Sequence, residues 1–453
     1  MSAQTPDPRA IIVGLGRTGL SAAAYLRARG WRVAVTDTRE RPPQLEALRA
    51  LDAHIPVRLG GLDHELLEDA GCVVASPGIA LADPFFAEAR RRGLPVVGDI
   101  ELFARAVHAP VAGITGTNGK STVTTLLGRM AERAGLDARV GGNLGEPALE
   151  LLRDDGSGRA GARPALYVLE LSSFQLEATY SLTLEAAAVL NVTSDHLDRY
   201  ASLADYAAAK ARIFARCTTA VVNLDDPLVM AMPRGAQRTL SFSLRAAAGA
   251  DYHCGSTGTD RWLMRREQPL LPLAALKIKG LHNAANALAA LALGEALGLA
   301  LSPMLTELAS FAGLPHRSQW VADVQGVTYV DDSKGTNVGA TLAAVAGMTG
   351  PLVMIAGGDG KQQDFTPLAA AFAGKVRHTV LIGRDAPALA RVLEGICTLE
   401  RCDSLEDAVR AAARAACPGD TVLLSPACAS LDMFRDYAHR GAVFSQAVKE
   451  LAA

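Results

Sequence analysis

Short apolar runs alternate along the chain with stretches whose apolar residues recur every three or four positions, which predicts an α/β protein with mainly parallel sheets. The runs fall into three blocks. The first, 1–105, holds "AIIVGLG", "RVAVTD", "CVVASPG" and "LPVVGD". The second, 106–313, holds "APVAGITG", "ALYVLEL", "AAAVLNV" and "TTAVVNLDD", then short strands and turns over 237–280 ("QRTLSFSL", "RWLMRRE", "LAALKIKG"). The third, 314–453, starts at "LPHR" and holds "TYVDDS", "PLVMIAGG", "HTVLIG" and "DTVLLSP". "RDDGSGRAGARP" and "AAAGADYHCGSTGTD" read as loops inside the second block.

Two helical stripes say more. Val123, Leu126, Leu127 and Met130 fall at i, i+3, i+4 and i+7, so an amphipathic helix follows Lys120. In "LADYAAAKARIFARC" the apolar stripe is Leu203, Tyr206, Ala207, Ile213, Phe214 and Cys217, and Lys210 occupies its missing i+7 position. Asp205, Arg212 and Arg216 lie on the opposite face. A lysine in such a stripe either snorkels to water along its aliphatic stem or turns its amine inward to a site. The stripe leaves both readings open.

Composition narrows the class. A chain of 453 residues exceeds one compact core and suggests about three domains. A net charge of -2 and a pI near 6.5 offer no basic field for nucleic acid. "MSAQTPDPRA" lacks the order of a signal peptide. The apolar run "NALAALALGEALGLAL" is interrupted by Glu295 and is too short for a membrane span. The seven cysteines form no C-x-x-C pair and read as reduced thiols, so a cytoplasmic enzyme is expected.

The chemistry concentrates at three strand ends. "VAGIT" runs into "GTNGKST", where a standard phosphate loop would need glycine at 114 and Ile114 stands instead. Even so, Lys120 supplies a point charge, Ser121 a hydroxyl for magnesium, and the free N–H groups of the helix start suit a phosphate. "LYVLE" ends in Glu170, and "AAAVLNV" leads to Asn191, Asp195 and His196. In an open parallel sheet, ligands gather beyond the carboxyl ends of strands. Singly, a carboxylate there caps a helix and a histidine fills a core; together these residues read as a magnesium–nucleotide site.

These strings resemble the Mur ligase family, ATP-dependent amide ligases of bacterial cell-wall precursor synthesis, whose phosphate loop is the shorter GTNGK[ST]. The likeness spans nearly the whole chain through "GLGRTG", "SPGI", "GGNLG", "LELSSFQLE", "NVTSDHLDRY", "AAKARIF", "HNAANALAA", "LPHR", "DDSKGTN", "GGDGK" and "SPACASLDMF". The longest strings point to the branch that adds D-glutamate. Gly335, where alanine is expected, and Gln319, where many members carry glutamate, are departures.

The resemblance implies three domains: a Rossmann-like domain for the UDP end of the substrate, a central P-loop-type ATPase domain, and a C-terminal Rossmann-like domain that binds D-glutamate and closes on ATP. It implies UDP-MurNAc-L-Ala, D-glutamate and ATP as substrates, magnesium as cofactor, and a monomer. For ATP it implies Gly116, Thr117, Asn118, Gly119, Lys120, Ser121, Thr122, Arg317 and Asp332. Asn283 and Asn286 resemble base contacts, though asparagine there also caps a helix. Ser121 and Glu170 would hold one magnesium ion, and His196 with Lys210, carried as a carbamate, the second. With Lys120, Glu170, His196 and Lys210 are the expected catalytic set. Lys334, Thr336, Lys361, Ser430, Leu431 and Tyr437 would surround D-glutamate.

The first block sets a trap. "GLGRTG" between strand and helix, with Asp37 ending the next strand, is by motif a nicotinamide dinucleotide site and suggests an oxidoreductase. The family uses the same turn for UDP, which implies Arg17, Thr18, Asp37, Thr38, Arg39, Ser76 and Gly78 as contacts, with Asn143 and Ser172 further along the substrate. A folate-type polyglutamate ligase would share the middle block without a UDP-like first domain.

Overall fold

A computed structural model describes residues 9–152, 164–278, 280–348 and 350–452, so "RDDGSGRAGARP" lies, but for its last residue, outside the described residues. The first sheet holds β1 (Arg9–Val13), β2 (Arg32–Asp37), β3 (Val57–Leu59), β4 (Cys72–Ala75) and β5 (Val96–Val97), all parallel in the order β3-β2-β1-β4-β5. That order puts a crevice at the carboxyl ends of β1 and β4, where it reverses.

The second sheet holds β6 (Val111–Thr115), β7 (Ala138–Gly142), β8 (Leu166–Glu170), β9 (Leu184–Val189), β10 (Cys217–Asn223), β11 (Arg238–Ser243), β12 (Tyr252–Thr257), β13 (Asp260–Arg265) and β14 (Gln268–Pro272). Their order is β14-β13-β12-β11-β10-β9-β6-β8-β7, and antiparallel pairing is confined to β12-β13-β14. The third holds β15 (Gln319–Val324), β16 (Val327–Asp331), β17 (Leu352–Gly357), β18 (Val376–Ile382), β19 (Thr398–Arg401) and β20 (Thr421–Leu424), ordered β15-β16-β20-β17-β18-β19 with only β15 antiparallel.

The central strands are apolar throughout because helices cover both faces. All of β6 and β8 is buried. Val123, Leu126, Leu127 and Met130 are fully buried on helix Lys120–Arg133, which packs against helix Leu281–Ala296. Among the described residues no helix is long and apolar enough to cross a membrane.

Three local expectations are corrected. "AAAGADYHCGSTGTD" is not a loop throughout: Tyr252–Thr257 forms β12 and buries Tyr252 and Cys254. Among the described residues "LAALKIKG" forms no strand but a short 3-10 turn, Leu273–Ala275. The stripe through Lys210 is not one helix, since Leu203–Ala211 ends in a 3-10 turn and Cys217 opens β10.

The sheets meet in two ways. A single apolar cluster runs from Ile12 and Val35 of the first sheet to Leu169 and Leu184 of the second, bridged by helix Asp99–Ala104, where Phe103 meets Tyr167 edge-on at 5.2 Å. Beside it the buried Glu101 carboxylate accepts from the N–H groups of Tyr180 and Ser181 at 2.7 and 2.8 Å. The third sheet keeps its own clusters and faces the second with polar groups. The Asn337 amide donates to Asn118 Oδ1 at 3.2 Å and to Asp195 Oδ2 at 3.3 Å, while Arg317 donates to Ser121 Oγ at 2.7 Å.

Candidate functional site

The loop after β6 is held from the end of β9. Asn118 N–H donates to Asn191 Oδ1 at 2.8 Å, Asn191 Nδ2 returns a bond to Asn118 O at 3.1 Å, and Thr117 N–H donates to Asn191 O at 2.9 Å. Gly119 has φ +84°, and any Cβ there would collide with Asn286 Oδ1. The glycine thus lets the loop approach helix Leu281–Ala296 and begin the next helix with its N–H groups free. Lys120 Nζ bends back to donate to Gly116 O and Thr117 O, both at 2.8 Å.

Lys120, Ser121, Asn143, Glu170, Ser172, Asp195, His196, Lys210, Lys334, Thr336 and Lys361 line one polar cavity of about 280 Å³. Residues from three strand ends and from the third sheet thus converge, as the sequence suggests. Burial lowers the Lys120 amine, against the pull of Glu170 and Asp195. Burial would raise the Glu170 carboxyl, but the Lys120 charge and the Asn143 amide outweigh it and hold it low. Asp195 is likewise held low, because His196, Lys361 and Lys120 outweigh burial. His196, in the left-handed region at φ +55°, is lowered chiefly by burial.

Lys210 settles its two readings. Its side chain does not snorkel but is 1% exposed, with Nζ donating to Gly116 O at 2.9 Å and sitting 4.3 Å from the centre of the Tyr206 ring. Burial, then the nearby Lys120 charge, lowers its amine well below the ordinary lysine value.

The donor set suits magnesium. Glu170 Oε1 accepts from Asn143 Nδ2 at 2.6 Å, whereas its buried Oε2 has no bond within hydrogen-bond geometry among the described residues. With the Ser121 hydroxyl on the same wall, this is a hard-oxygen set that a partly hydrated magnesium ion prefers. Among the described residues no group of three or more His, Cys, Asp or Glu encloses a metal by itself, so other ligands would come from phosphate and water.

Two further cavities adjoin. One of about 250 Å³ is lined by Asn118, Gly119, Thr122, Asn283, Asn286, Arg317 and Asp332, bringing the expected ATP residues of the second and third sheets together. Burial lowers Arg317 and raises Asp332 to about 6. The other, of about 460 Å³, lies in the crevice of the first sheet and is lined by Arg17, Thr18, Thr38, Arg39, Ser76, Gly78 and Asn143. Asn143 lines both this and the polar cavity.

Some expected contacts stand elsewhere. Asp37 does not face its cavity: it is fully buried, and its carboxylate accepts from Leu15 N–H at 2.6 Å and from Arg39. Ser172, by contrast, lines the polar cavity beside Glu170, in keeping with a place further along the substrate than its UDP end. Lys334 Nζ lies over the Tyr437 ring at 4.1 Å, and burial lowers its amine to about 7. Ser430 and Leu431 do not line the polar cavity; Ser430 is buried and Leu431 is 72% exposed. Gln319 Oε1 accepts from His316 N–H at 3.0 Å, a bond its amide oxygen makes as well as a carboxylate would. A Cβ on Gly335 would stand 2.7 Å from Asp332 Oδ2 and Ser425 Oγ.

Gln175 is a site residue that the motifs do not single out. It lines the first-sheet cavity, its Oε1 accepts from Ser172 N–H at 3.1 Å, and its Nε2 donates to the buried Asp99 at 3.0 Å. The Ser172-x-x-Gln175 spacing is a capping box and is the signal in the sequence that marks it.

Comparison with known proteins agrees along the chain. The Mur ligase middle domain matches residues 114–294, the Mur ligase MurD-like N-terminal domain 8–98, and the Mur ligase glutamate ligase domain 316–428. The UDP-N-acetylmuramoylalanine--D-glutamate ligase of Nitrosococcus oceani is 50% identical over 443 residues, 97% of this chain and 96% of the relative. That of Pseudomonas aeruginosa is 49% identical over 456 residues, 100% of both chains. A UDP-N-acetylmuramate-alanine ligase from Thermotoga maritima shares the fold, with a TM-score of 0.62 at 19% identity over 98% of this chain and 99% of that one.

Proposed function

The chain belongs to the Mur ligase family, and from that premise we propose how its residues carry out the reaction. It is an ATP-dependent ligase that adds D-glutamate to UDP-N-acetylmuramoyl-L-alanine in peptidoglycan precursor synthesis. The observation that carries the assignment of roles is the convergence of three cavities, with Asn143 on the wall shared by the first-sheet and polar cavities and Asn118 and Gly119 on the wall shared by the other two. We take 1–105 as the UDP-binding unit, 106–313 as the ATP-binding unit and 314–453 as the unit that binds D-glutamate and closes on ATP.

The UDP end lies in the first-sheet cavity against Arg17, Thr18, Thr38, Arg39, Ser76 and Gly78, and the alanine carboxylate reaches past Asn143 toward Glu170. Lys120 and the loop N–H groups hold the β- and γ-phosphates, Asn283 and Asn286 face the base, and Arg317 and Asp332 meet the nucleotide from the third unit. The substrate carboxylate attacks the γ-phosphorus, the bond to ADP breaks, and an acyl phosphate forms. The D-glutamate amine then attacks the acyl carbon, loses a proton, and expels phosphate. Positioning and charge neutralisation are the protein's main tasks.

Family members use ATP and magnesium. Ser121 and Glu170 would hold one ion, and His196 with Lys210 a second; bound there, magnesium neutralises the crowded oxygens. Lys210 serves as a carbamate. Its neutral amine adds to carbon dioxide, forming an N–C bond and releasing a proton, and burial favours that neutral amine. Lys334, Thr336 and Lys361 take the D-glutamate carboxylates. The protein works as a monomer in the cytoplasm.

Phosphate release tests the assignment, measured with ATP, the UDP-linked acceptor and a panel of amino acids. D-glutamate supports turnover, whereas L-glutamate, L-lysine and diaminopimelate do not. Comparable rates with any of these three overturn it.

A further inference from the structure

Arg199 lies in the second unit, yet its guanidinium ends in the first. Its two terminal nitrogens donate to the main-chain carbonyls of Pro77 at 2.6 Å and Ile79 at 3.0 Å. Pro77, Gly78 and Ile79 form a wall of the first-sheet cavity. The side chain is only 14% exposed, with Glu177 at 3.5 Å and the guanidinium stacked over Phe174, 4.0 Å from the ring centre. Phe174 in turn meets the His196 ring edge-on at 4.8 Å. On the main chain, Arg199 N–H donates to His196 O at 2.9 Å, closing the turn that starts at His196, itself at a left-handed φ of +55°.

One residue therefore grips the wall of one cavity and the turn that presents His196 to another. We propose that Arg199 is a positioning residue that links filling of the first-sheet cavity to the placement of His196, a role that rests on the UDP reading of that cavity. A planar fork suits this task, because two carbonyls facing different donors fix both the position and the rotation of the wall. Lysine offers one compact ammonium and holds at most one side of it. When the UDP end presses against Pro77–Ile79, Arg199 carries the constraint through Phe174 and its own main chain. Binding energy from a remote part of the substrate is thereby used at the reacting end.

Steady-state kinetics with two acceptors test this: the full UDP-linked substrate, and the same sugar–alanine acceptor carrying a single phosphate in place of UDP. For the unaltered enzyme kcat/KM is higher with the full acceptor. Arg199→Met keeps an unbranched apolar side chain beside Phe174 but loses the guanidinium and with it both donors, so the ratio of kcat/KM for full over truncated acceptor should fall about tenfold. Arg199→Lys should fall nearly as far, while both variants keep melting temperatures close to that of the unaltered enzyme. An equal loss on both acceptors, or a ratio in Arg199→Lys matching the unaltered enzyme, overturns the proposal and leaves the UDP reading standing. If the unaltered enzyme makes no distinction between the acceptors, the UDP reading falls and the proposal with it.

Discussion

The loops after β1 and after β6 are built alike. Each leaves a parallel strand, turns through a glycine of positive φ (Gly14 or Gly119), and feeds a helix, Arg17–Arg27 or Lys120–Arg133. Their surroundings differ. Behind the first, the buried carboxylate of Asp37 is spent on Leu15 N–H and Arg39. Around the second, Glu170, Asp195 and Lys210 are buried with the half-buried Lys120 among them, each shifted from its ordinary titration range. Gripping a diphosphate takes donors and room; transferring a phosphoryl group takes charges held out of water, where they act more strongly. Burial of charge, more than loop geometry, separates the two proposed uses.

The sharpest test of that contrast is Lys210→Ala, which should lower kcat by roughly 10³-fold while circular dichroism stays unchanged. Short-chain carboxylates added to this variant should restore part of the phosphate release. Lys210→Arg should stay inactive, and near-normal activity there would mean that positive charge alone is needed. Glu170→Gln should come next, lowering activity roughly 10²-fold and raising the magnesium concentration needed for half-maximal rate; an unchanged magnesium titration would remove Glu170 from the metal site.

On the gripping side, Asp37→Asn should raise KM for the UDP-linked substrate about tenfold with kcat retained, because it loosens a loop that only holds. A matching fall in kcat would erase the distinction between the loops. The smallest effect concerns pH. Burial, then Arg317 and Lys120, hold the Lys334 amine at about 7. Below that value it is already the cation a carboxylate needs; above it, binding must take up a proton. The affinity for D-glutamate, followed by calorimetry, should therefore fall as pH rises through about 7, by up to about tenfold per unit, and Lys334→Met should flatten the profile.

Features that depend on neighbours along the chain are legible in the amino-acid sequence. The helix after Lys120, the strand-end positions of Glu170 and Asp195, and the place of Lys210 in an apolar stripe all follow from periodicity over a few residues. Cys217 shows the limit, since a stripe with helical spacing also fits a helix followed by a strand. β12 reads as a loop because Gly255, Ser256 and Thr257 resemble turn chemistry, and pairing with β13 overrides that local preference. Asp37 and Ser430 show that a motif gives a residue's place in the chain without the direction its side chain takes. Asn337 is legible as the cap of the helix that follows it, but not as a partner of Asn118 and Asp195, which lie far away in sequence.

The seam between the second and third sheets has a consequence for the end of the cycle. A neutral amide hydrogen bond contributes about 1 kcal/mol net, so the Asn118–Asn337 exchange makes a shallow latch. Arg317 and Lys361, two cations on this seam, meet Ser121 and Asp195, positions for which phosphate and carboxylate anions would compete in the proposed reaction. The apolar seam around Phe103 has no such rival and serves as a fixed jamb. If the third unit closes over ATP as proposed, closing is easily undone, and the door opens on the side where ADP and phosphate must leave.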